Sequence, residues 1–293
     1  MSRVPRLGFI EPQVPTLVDH PPQHEEWIHE VKHDGYRTLL VRDRDGVRAF
    51  TRNGFDWTDR YPSIVRAATK LSCRSAILDG EVIVQDERGI SHFEALNTAI
   101  RREPERLIFF AFDLLHLDGR DLRQRPLVER RAELKGLIGE NPWSRLQYSE
   151  AFNAGGAALF KACVQHGLEG IVSKLSSSRY RSGRSKTWRK TKCFTESTFV
   201  IIGTDQDRKT GAMRALLARP ENYGFVYAGA AFIALPGEQR EALHYELERL
   251  SITQCPLGLR MPGARWVEPR VIAKVRHLAA SKYLRHATVK EVQ

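Results

Sequence analysis

The sequence predicts an α+β chain in two parts: a mixed domain of strands and helices over residues 1–194, then a small β-barrel over residues 195–293. Three observations lead there. The chain has 293 residues, enough for one large domain or two of ordinary size. Through its first two thirds, runs of β-forming residues with Asp-Gly pairs alternate with segments of helical spacing. Composition then shifts near residues 193–197, and about a hundred residues follow that read as strands, one helix, then strands. That pattern fits a small barrel such as an OB-fold.

Residues 1–24 are rich in Pro without periodicity and read as an extended lead-in. "WIHEVKHDGYRTLLVRDRDGVRAFTRNG" alternates β-formers around two expected turns, Asp34-Gly35 and Asp45-Gly46. "PSIVRAATKL" places Ile64, Val65, Ala68 and Leu71 on one side of a helix. "SAILDGEVIVQDERG" reads as two strands around Asp79-Gly80, and in "SHFEALNTAIRR" Ser91 and Glu94 form a capping-box pattern. The nearly continuous apolar run "LIFFAFDLLHL" predicts a buried central strand. "LVERRAELKGLI" and "GGAALFKACVQHG" predict amphipathic helices, the second closed by Gly167. "LEGIVSKL" predicts a strand and "TWRKTKC" a short basic one. Beyond the composition break, "FVIIGTDQDRKTGAMRALLARPENYGFVYAGAAF" reads as a meander of short strands. The helix "PGEQREALHYELERL" and two late strands in "ARWVEPRVIAKVRHL" follow.

Composition narrows the function. Apolar residues make up 42% and charged residues 28%, so disorder is not expected. No apolar run reaches the ~18 residues of a membrane span, and the N-terminal stretch has no apolar h-region of a secretory signal. Cys73, Cys163, Cys193 and Cys255 follow no CxxC spacing, which argues against a zinc or disulfide framework and fits a reducing cytoplasm. The net charge of +11 and pI of about 9.7 favour a polyanionic partner, nucleic acid first.

Lys32 carries the chemical argument. A lysine attacks phosphorus only as the neutral amine, which burial and nearby cations favour and a carboxylate opposes. A lone Lys-x-Asp-Gly match is weak, and taken alone it is better explained by an exposed hairpin lysine. Four later strands change the weighting. "LDGEVIV" carries Glu81, "FFAFDLL" carries Phe112 and Asp113, "LEGIVSK" carries Glu169 and Lys174, and "GRSKTWRKTK" carries Lys190 and Lys192 on one face. Asp113 inside an apolar run requires a partner. Charges delivered in order into apolar surroundings suggest one shared pocket.

These phrases, in this order, resemble the motifs of covalent nucleotidyltransferases: ATP-dependent DNA ligases, RNA ligases and mRNA capping enzymes. "FIEPQVPTLVDHPP", "EVKHDGYR", "TRNGFDWTDRYP", "ILDGEVIV", "FDLLHLDGRDLR" and "HGLEGIVSKLSSSRYRSGRSKTWRKTKC" narrow the resemblance to the ligase module of bacterial end-joining DNA ligases and its stand-alone relatives. The resemblance spans nearly the whole chain. It implies an ATP-grasp-like nucleotidyltransferase (adenylation) domain with antiparallel sheets and flanking helices, followed by an OB-fold. Lys32 then matches the lysine that takes AMP from ATP. Glu30 and Val31 match the adenine pocket, and Phe112 the aromatic that stacks on the base. Arg37 and Arg52 match arginines at the ribose and phosphates or the nicked strand. Glu81 and Glu169 match carboxylates associated with Mg²⁺ or Mn²⁺, Glu81 also with the ribose. Lys190 and Lys192 match the pair on the α-phosphate. Asp34 and Asp79 retain a reading as turn residues, and Lys174 either holds phosphate or closes an ion pair with a strand neighbour.

The resemblance further implies nicked duplex DNA as substrate, a monomer, a bacterial cytoplasmic and nucleoid-associated location, and double-strand-break repair beside a Ku-like end-binding protein. It departs from the pattern at its end. "RWVEPRVIAKVRHLAASKYLRHATVKEVQ" lacks the Arg-x-Asp-Lys phrase that orients pyrophosphate in many relatives. Either Arg285 and His286 substitute, or ATP activation is slow. Two alternatives follow: an RNA ligase or capping-type enzyme, and a nick-binding protein impaired in self-adenylylation.

Overall fold

The computed structural model describes residues 6–141, 144–152, 155–221, 224–279 and 283–293. Two compact units divide the chain, Met1–Lys192 and Cys193–Gln293. The first begins with β1 (Gln13–Leu17), β2 (Trp27–Val31), β3 (Tyr36–Asp43), β4 (Gly46–Thr51), α1 (Pro62–Ala68), β5 (Ala76–Ile83) and α2 (Phe93–Arg102). It continues with β6 (Ile108–Leu117), β7 (Arg120–Asp121), α3 (Leu127–Ile138), β8 (Leu146–Tyr148), β9 (Ala151–Phe152), α4 (Gly156–Gln165), β10 (Gly170–Leu175) and β11 (Gly183–Lys192). One sheet is ordered β1-β11-β10-β2-β9. The other is ordered β4-β3-β5-β6-β7, with β8 paired to β6.

The period-2 alternation of strands builds the layers. Leu40 of β3 and Leu78 of β5 join Ile64 of α1 and Leu96 of α2 in one core. Leu39 and Val41 of β3 and Ile77 of β5 point the other way, into a core with Ile28, Phe112 and Trp188. The central sheet is therefore covered by helices on one face and by the second sheet on the other.

Several expectations give way to tertiary structure. Asp34-Gly35 is not a hairpin turn, because β2 pairs with β10 and β9 while β3 pairs with β4 and β5. The apolar alternation of β3 needs that sheet, and its burial outweighs the turn preference of the dipeptide. Asp79-Gly80 is not a turn either, since β5 runs through it. Arg37 and Tyr180 satisfy the fully buried Asp79 there. The Ser91 capping box is not made. Helix α2 starts at Phe93, and His92 caps it by accepting from Ala95 N–H, while Ser91 Oγ accepts from Asp34 N–H at 3.2 Å. The lead-in contains β1, parallel to β11, and the basic strand extends over ten residues.

The second unit comprises β12 (Phe194–Gln206), β13 (Met213–Glu221), β14 (Gly224–Ile233), α5 (Gly237–Arg249), β15 (Ser251–Ile252), β16 (Arg265–Val267), β17 (Ile272–Leu278) and β18 (Thr288–Val292). Five strands close in the cycle β12-β13-β14-β18-β17-β12, with β14 and β18 parallel. Ile201, Leu217, Ala231, Val275 and Val289 share a core with Leu243 and Leu247 of α5. The strands are longer than a meander of short ones: β12 spans thirteen residues and pairs with β13, β16 and β17. The tail carries β18, which pattern alone does not reveal. Among the described residues no helix is long and apolar enough to cross a membrane.

Gly80 offers a test of the β5–β6 packing. A Cβ there would lie 2.3 Å from a Phe109 ring carbon and 2.5 Å from the Phe110 carbonyl oxygen. Gly80→Ala is expected to cost on the order of 1–3 kcal/mol as overpacking. A urea midpoint equal to the parent's would refute that packing.

Candidate active site

Strand register assembles the site. β2 ends at Val31, opposite Ile171 of β10, and Lys32 N–H donates to Gly170 O at 2.9 Å. Gly170 in turn faces Lys192 of β11. Glu169, one residue earlier, thereby meets both lysines. Its Oε2 accepts from Lys32 Nζ at 2.5 Å, and its Oε1 lies 3.0 Å from Lys192 Nζ. Only glycine fits at 170, where φ is +145° and a Cβ would lie 2.1 Å from Thr191 O. On the other sheet Arg37 faces Glu81, and Glu81 faces Phe110. The His33 ring stacks on Phe110 with centroids 4.3 Å apart.

One pocket collects these groups. Glu30, Val31, Lys32, Arg37, Arg52 and Glu81 line it, and Phe112 and Lys190 complete the residues expected there. Glu169 and Lys192 stand beside it through the contacts just described. The pocket encloses about 790 Å³, its open mouth included. Five cationic side chains line it, Lys32, Arg37, Arg52, Lys174 and Lys190, against the carboxylates of Glu30 and Glu81. Three of the five are ion-paired, Lys32 to Glu169, Arg37 to Asp79 and Lys174 to Glu30, and Arg52 and Lys190 are the lining cations best placed to meet an anion.

Among the lining residues sequence reasoning missed His33 and Trp188, and it also missed the helix face behind the pocket; of the two readings left open for Lys174, the structure shows the ion pair with a strand neighbour. Lys174 Nζ is 2.7 Å from Glu30 Oε1, on the neighbouring strand, and 4.2 and 4.3 Å from the ring centroids of Phe112 and Trp188. Arg131 donates to Glu30 at 2.8 Å, to Phe112 O at 2.9 Å and to Ser149 O at 2.6 Å. Arg130 meets Asp113 at 2.7 and 2.8 Å, which supplies the partner that Asp113 requires. Arg37 holds Asp79 with two bonds of 2.6 Å while its guanidinium lies 4.5 Å from the Phe112 ring centroid. Trp188 was findable, because it lies two residues before Lys190 on the same strand face.

The surroundings set the charges. Burial pushes the Glu81 carboxyl up to about 7, with Glu169 and Asp79 adding to the shift and Lys32 and Arg37 opposing it. Burial also pushes Glu169 upward, but Lys32 and Lys192 together outweigh it and hold that carboxyl below its usual range. The Lys190 ammonium is lowered by burial and then by Lys192, Lys32 and Arg52. Burial, with Lys32 and Lys174, lowers His33 to about 4, so it is neutral at pH 7.

A lysine held against a carboxylate beside a cationic pocket with an aromatic wall, between two sheets flanked by helices, is an arrangement suited to nucleotide chemistry. The family model for the ATP dependent DNA ligase domain matches residues 13–192, and the chain belongs to that family. The multifunctional non-homologous end joining protein LigD of Pseudomonas aeruginosa is 35% identical over 289 residues, covering 94% of this chain and 34% of that protein. A probable DNA ligase of Sorangium cellulosum is 32% identical, over 84% of this chain and 48% of that protein. The chain thus spans between about a third and a half of these relatives' length. Among solved structures, the ligase domain of M. tuberculosis LigD superposes with a TM-score of 0.58 at 28% identity, over 96% of this chain and 94% of that one. A mycobacterial DNA ligase D complexed with ATP and MES gives 0.59 at the same identity and the same coverage of both chains.

Lys174 makes stability depend on pH in a defined direction. Burial lowers it to about 8 from 10.5, against the attraction of Glu30. The unfolded chain therefore holds this proton more tightly, so the penalty is full below about pH 8 and fades as pH rises toward 10.5. The parent's stability is therefore expected to rise between about pH 8 and 10.5 in urea titrations, and Lys174→Met should lack that rise. At pH 7 Lys174→Met is expected to be the less stable protein, by on the order of 3–5 kcal/mol, because Glu30 loses one of its buried charged partners. A rise of the same size retained in Lys174→Met would contradict the assignment.

Proposed function

We propose that the chain seals nicks in duplex DNA by carrying AMP on Lys32, and that Lys190, Lys192 and Glu169 serve that lysine. The Lys32–Glu169–Lys192 cluster carries this reading. Phe112 and Glu30 hold the adenine end of ATP, beside Val31, and Lys190 and Lys192 hold the α-phosphate end. Arg37 and Arg52 take the ribose and phosphate side. Lys32 Nζ attacks the α-phosphorus, an N–P bond forms, and the bond to pyrophosphate breaks. The proton that Nζ sheds has Glu169 Oε2 as an acceptor 2.5 Å away. Lys190 and Lys192 meet the negative charge that builds on the phosphate oxygens. AMP then passes to the 5′-phosphate at the nick, freeing Lys32. Attack by the 3′-hydroxyl joins the strands and expels AMP.

Glu81 and Glu169 are the carboxylates fitted to Mg²⁺ or Mn²⁺, both hard oxygen donors. Burial, the largest influence on Glu81, raises its carboxyl to about 7, and a bound cation would favour its charged form. Among the described residues no group of three or more metal-ligating side chains forms, so nucleotide oxygens and water would complete the shell. Such an ion supplies Lewis-acid charge to the phosphates. The closed five-strand cycle of the second unit, with its parallel β14–β18 pair and helix α5, supports an OB-fold that grips DNA backbones in a salt-sensitive, sequence-independent way. The end-joining names of the relatives support a role in bacterial double-strand-break repair; the proposal adds a monomer acting beside a Ku-like end binder on the nucleoid. The ligase-domain match favours DNA over RNA or cap substrates.

Incubation with α-labelled ATP and Mg²⁺ or Mn²⁺ tests the central step. Wild type is expected to take label and Lys32→Ala none; label retained by the variant would remove Lys32 as nucleophile. Lys192→Ala is expected to label about 100-fold more slowly while melting within a few degrees of the parent. A Lys192→Ala protein that melts early but labels at the normal rate once folded would assign Lys192 to folding instead.

A further inference from the structure

A second groove adjoins the nucleotide pocket and shares three walls with it, Arg37, Arg52 and Glu81. Its other side is aromatic: Tyr36, Phe55 and Trp57. Phe55 is 65% exposed. A single exposed phenylalanine needs no explanation by itself. This one differs in how it is held. In loop 51–55, Thr51 N–H donates to Phe55 O at 2.9 Å, Phe55 N–H to Thr51 Oγ1 at 3.2 Å, and Gly54 N–H to Thr51 O at 2.9 Å. The next residue, Asp56, is pinned to Phe50 by a β-bridge and accepts from Thr58 N–H at 2.9 Å. An apolar ring is thus presented to solvent on a rigid support, beside the exposed Arg52 and Asn53.

The occupant follows from the shared walls. Whatever lies in this groove shares Arg37, Arg52 and Glu81 with whatever fills the larger pocket. Resting on the ligase reading above, that occupant is a strand end of the nicked DNA. We infer that loop 51–55 is a stacking platform on which Phe55 holds the base of a nick-flanking nucleotide while Arg52 holds its phosphate. Every base offers a π-face, so the platform works without sequence preference, as nick sealing requires. Rigidity matters because an ordered loop gives up little entropy when DNA arrives.

The test compares Phe55→Ala, Phe55→Leu and Phe55→Trp with wild type on a fluorescent nicked duplex at fixed salt. The readouts are binding, sealing at sub-saturating DNA and DNA-free labelling by ATP. Loss of one base stack is expected to weaken binding and sealing by about tenfold in Phe55→Ala. The ratio of sealing to labelling should fall with it. Phe55→Trp should restore both and Phe55→Leu neither. An abasic residue on one side of the nick should cost wild type about as much as the substitution does and cost Phe55→Ala little further; which side does so identifies the strand. Equal binding and sealing by Phe55→Ala, or full rescue by leucine, overturns the platform and leaves the ligase reading standing. Wild type that takes no label yet binds nicked duplex through Phe55 keeps the platform and removes that reading.

Discussion

Glu30 lies 2% exposed, with Arg131 and Lys174 both on its Oε1 and Ser149 Oγ donating to Oε2. The walls of the pocket depend on this contact. Arg131 reaches from α3 to the backbone of Phe112 on β6, so one carboxylate on β2 ties a helix and both sheets together. A buried charge stripped of its partners costs several kcal/mol. The same logic recurs at Asp79 with Arg37 and at Asp113 with Arg130. These pairs contribute less to net stability than to geometry. They admit one arrangement of strands, and that arrangement puts Phe112, Lys32 and Lys190 around one space.

The division of charge follows from this. Arg37, Arg130 and Arg131 spend their charge on buried partners, whereas Lys190 and Arg52 line the pocket. Charges held in place before a polyphosphate enters cost no reorganisation, which is where enzymes gain most from electrostatics. Glu169 belongs to both sets, since it neutralises two lysines that a phosphate would otherwise engage.

Much of this was legible in the sequence, for physical reasons that also mark the limits. Strands carrying Lys32, Phe112 and Lys190 show because charge in an apolar run is locally anomalous. The Asp-Gly pairs misled at 34 and 79 because turn preference is worth little against the burial of whole strands, while Asp45-Gly46, with no competitor, lies at the β3–β4 connection. The capping pattern at Ser91 failed because its hydroxyl found a distant partner in the Lys32 loop. Arg130 and Arg131 were hidden because helical periodicity reads arginine as solvent-facing, and only their carboxylates, on other elements, reverse that. β1 was masked by Pro15, which the sheet tolerates at an edge, with a register shift beside it.

The pairing of β1 with β11 has a consequence for how the protein comes into being. It joins Gln13 to Gly183 and Leu17 to Lys190, so contacts at the pocket rim span nearly the full length of the first unit. Such long-range pairing pays its loop-closure entropy late and folds slowly. The rim also draws Pro12, Val14 and Pro15 from one end of that unit and Trp188 and Lys190 from the other. On the ribosome, the six-stranded sheet and its helices have their residues available while β11 is still unmade. A nascent chain therefore has a core before it has a nucleotide site, and ATP can stabilise only a chain whose first unit is nearly complete.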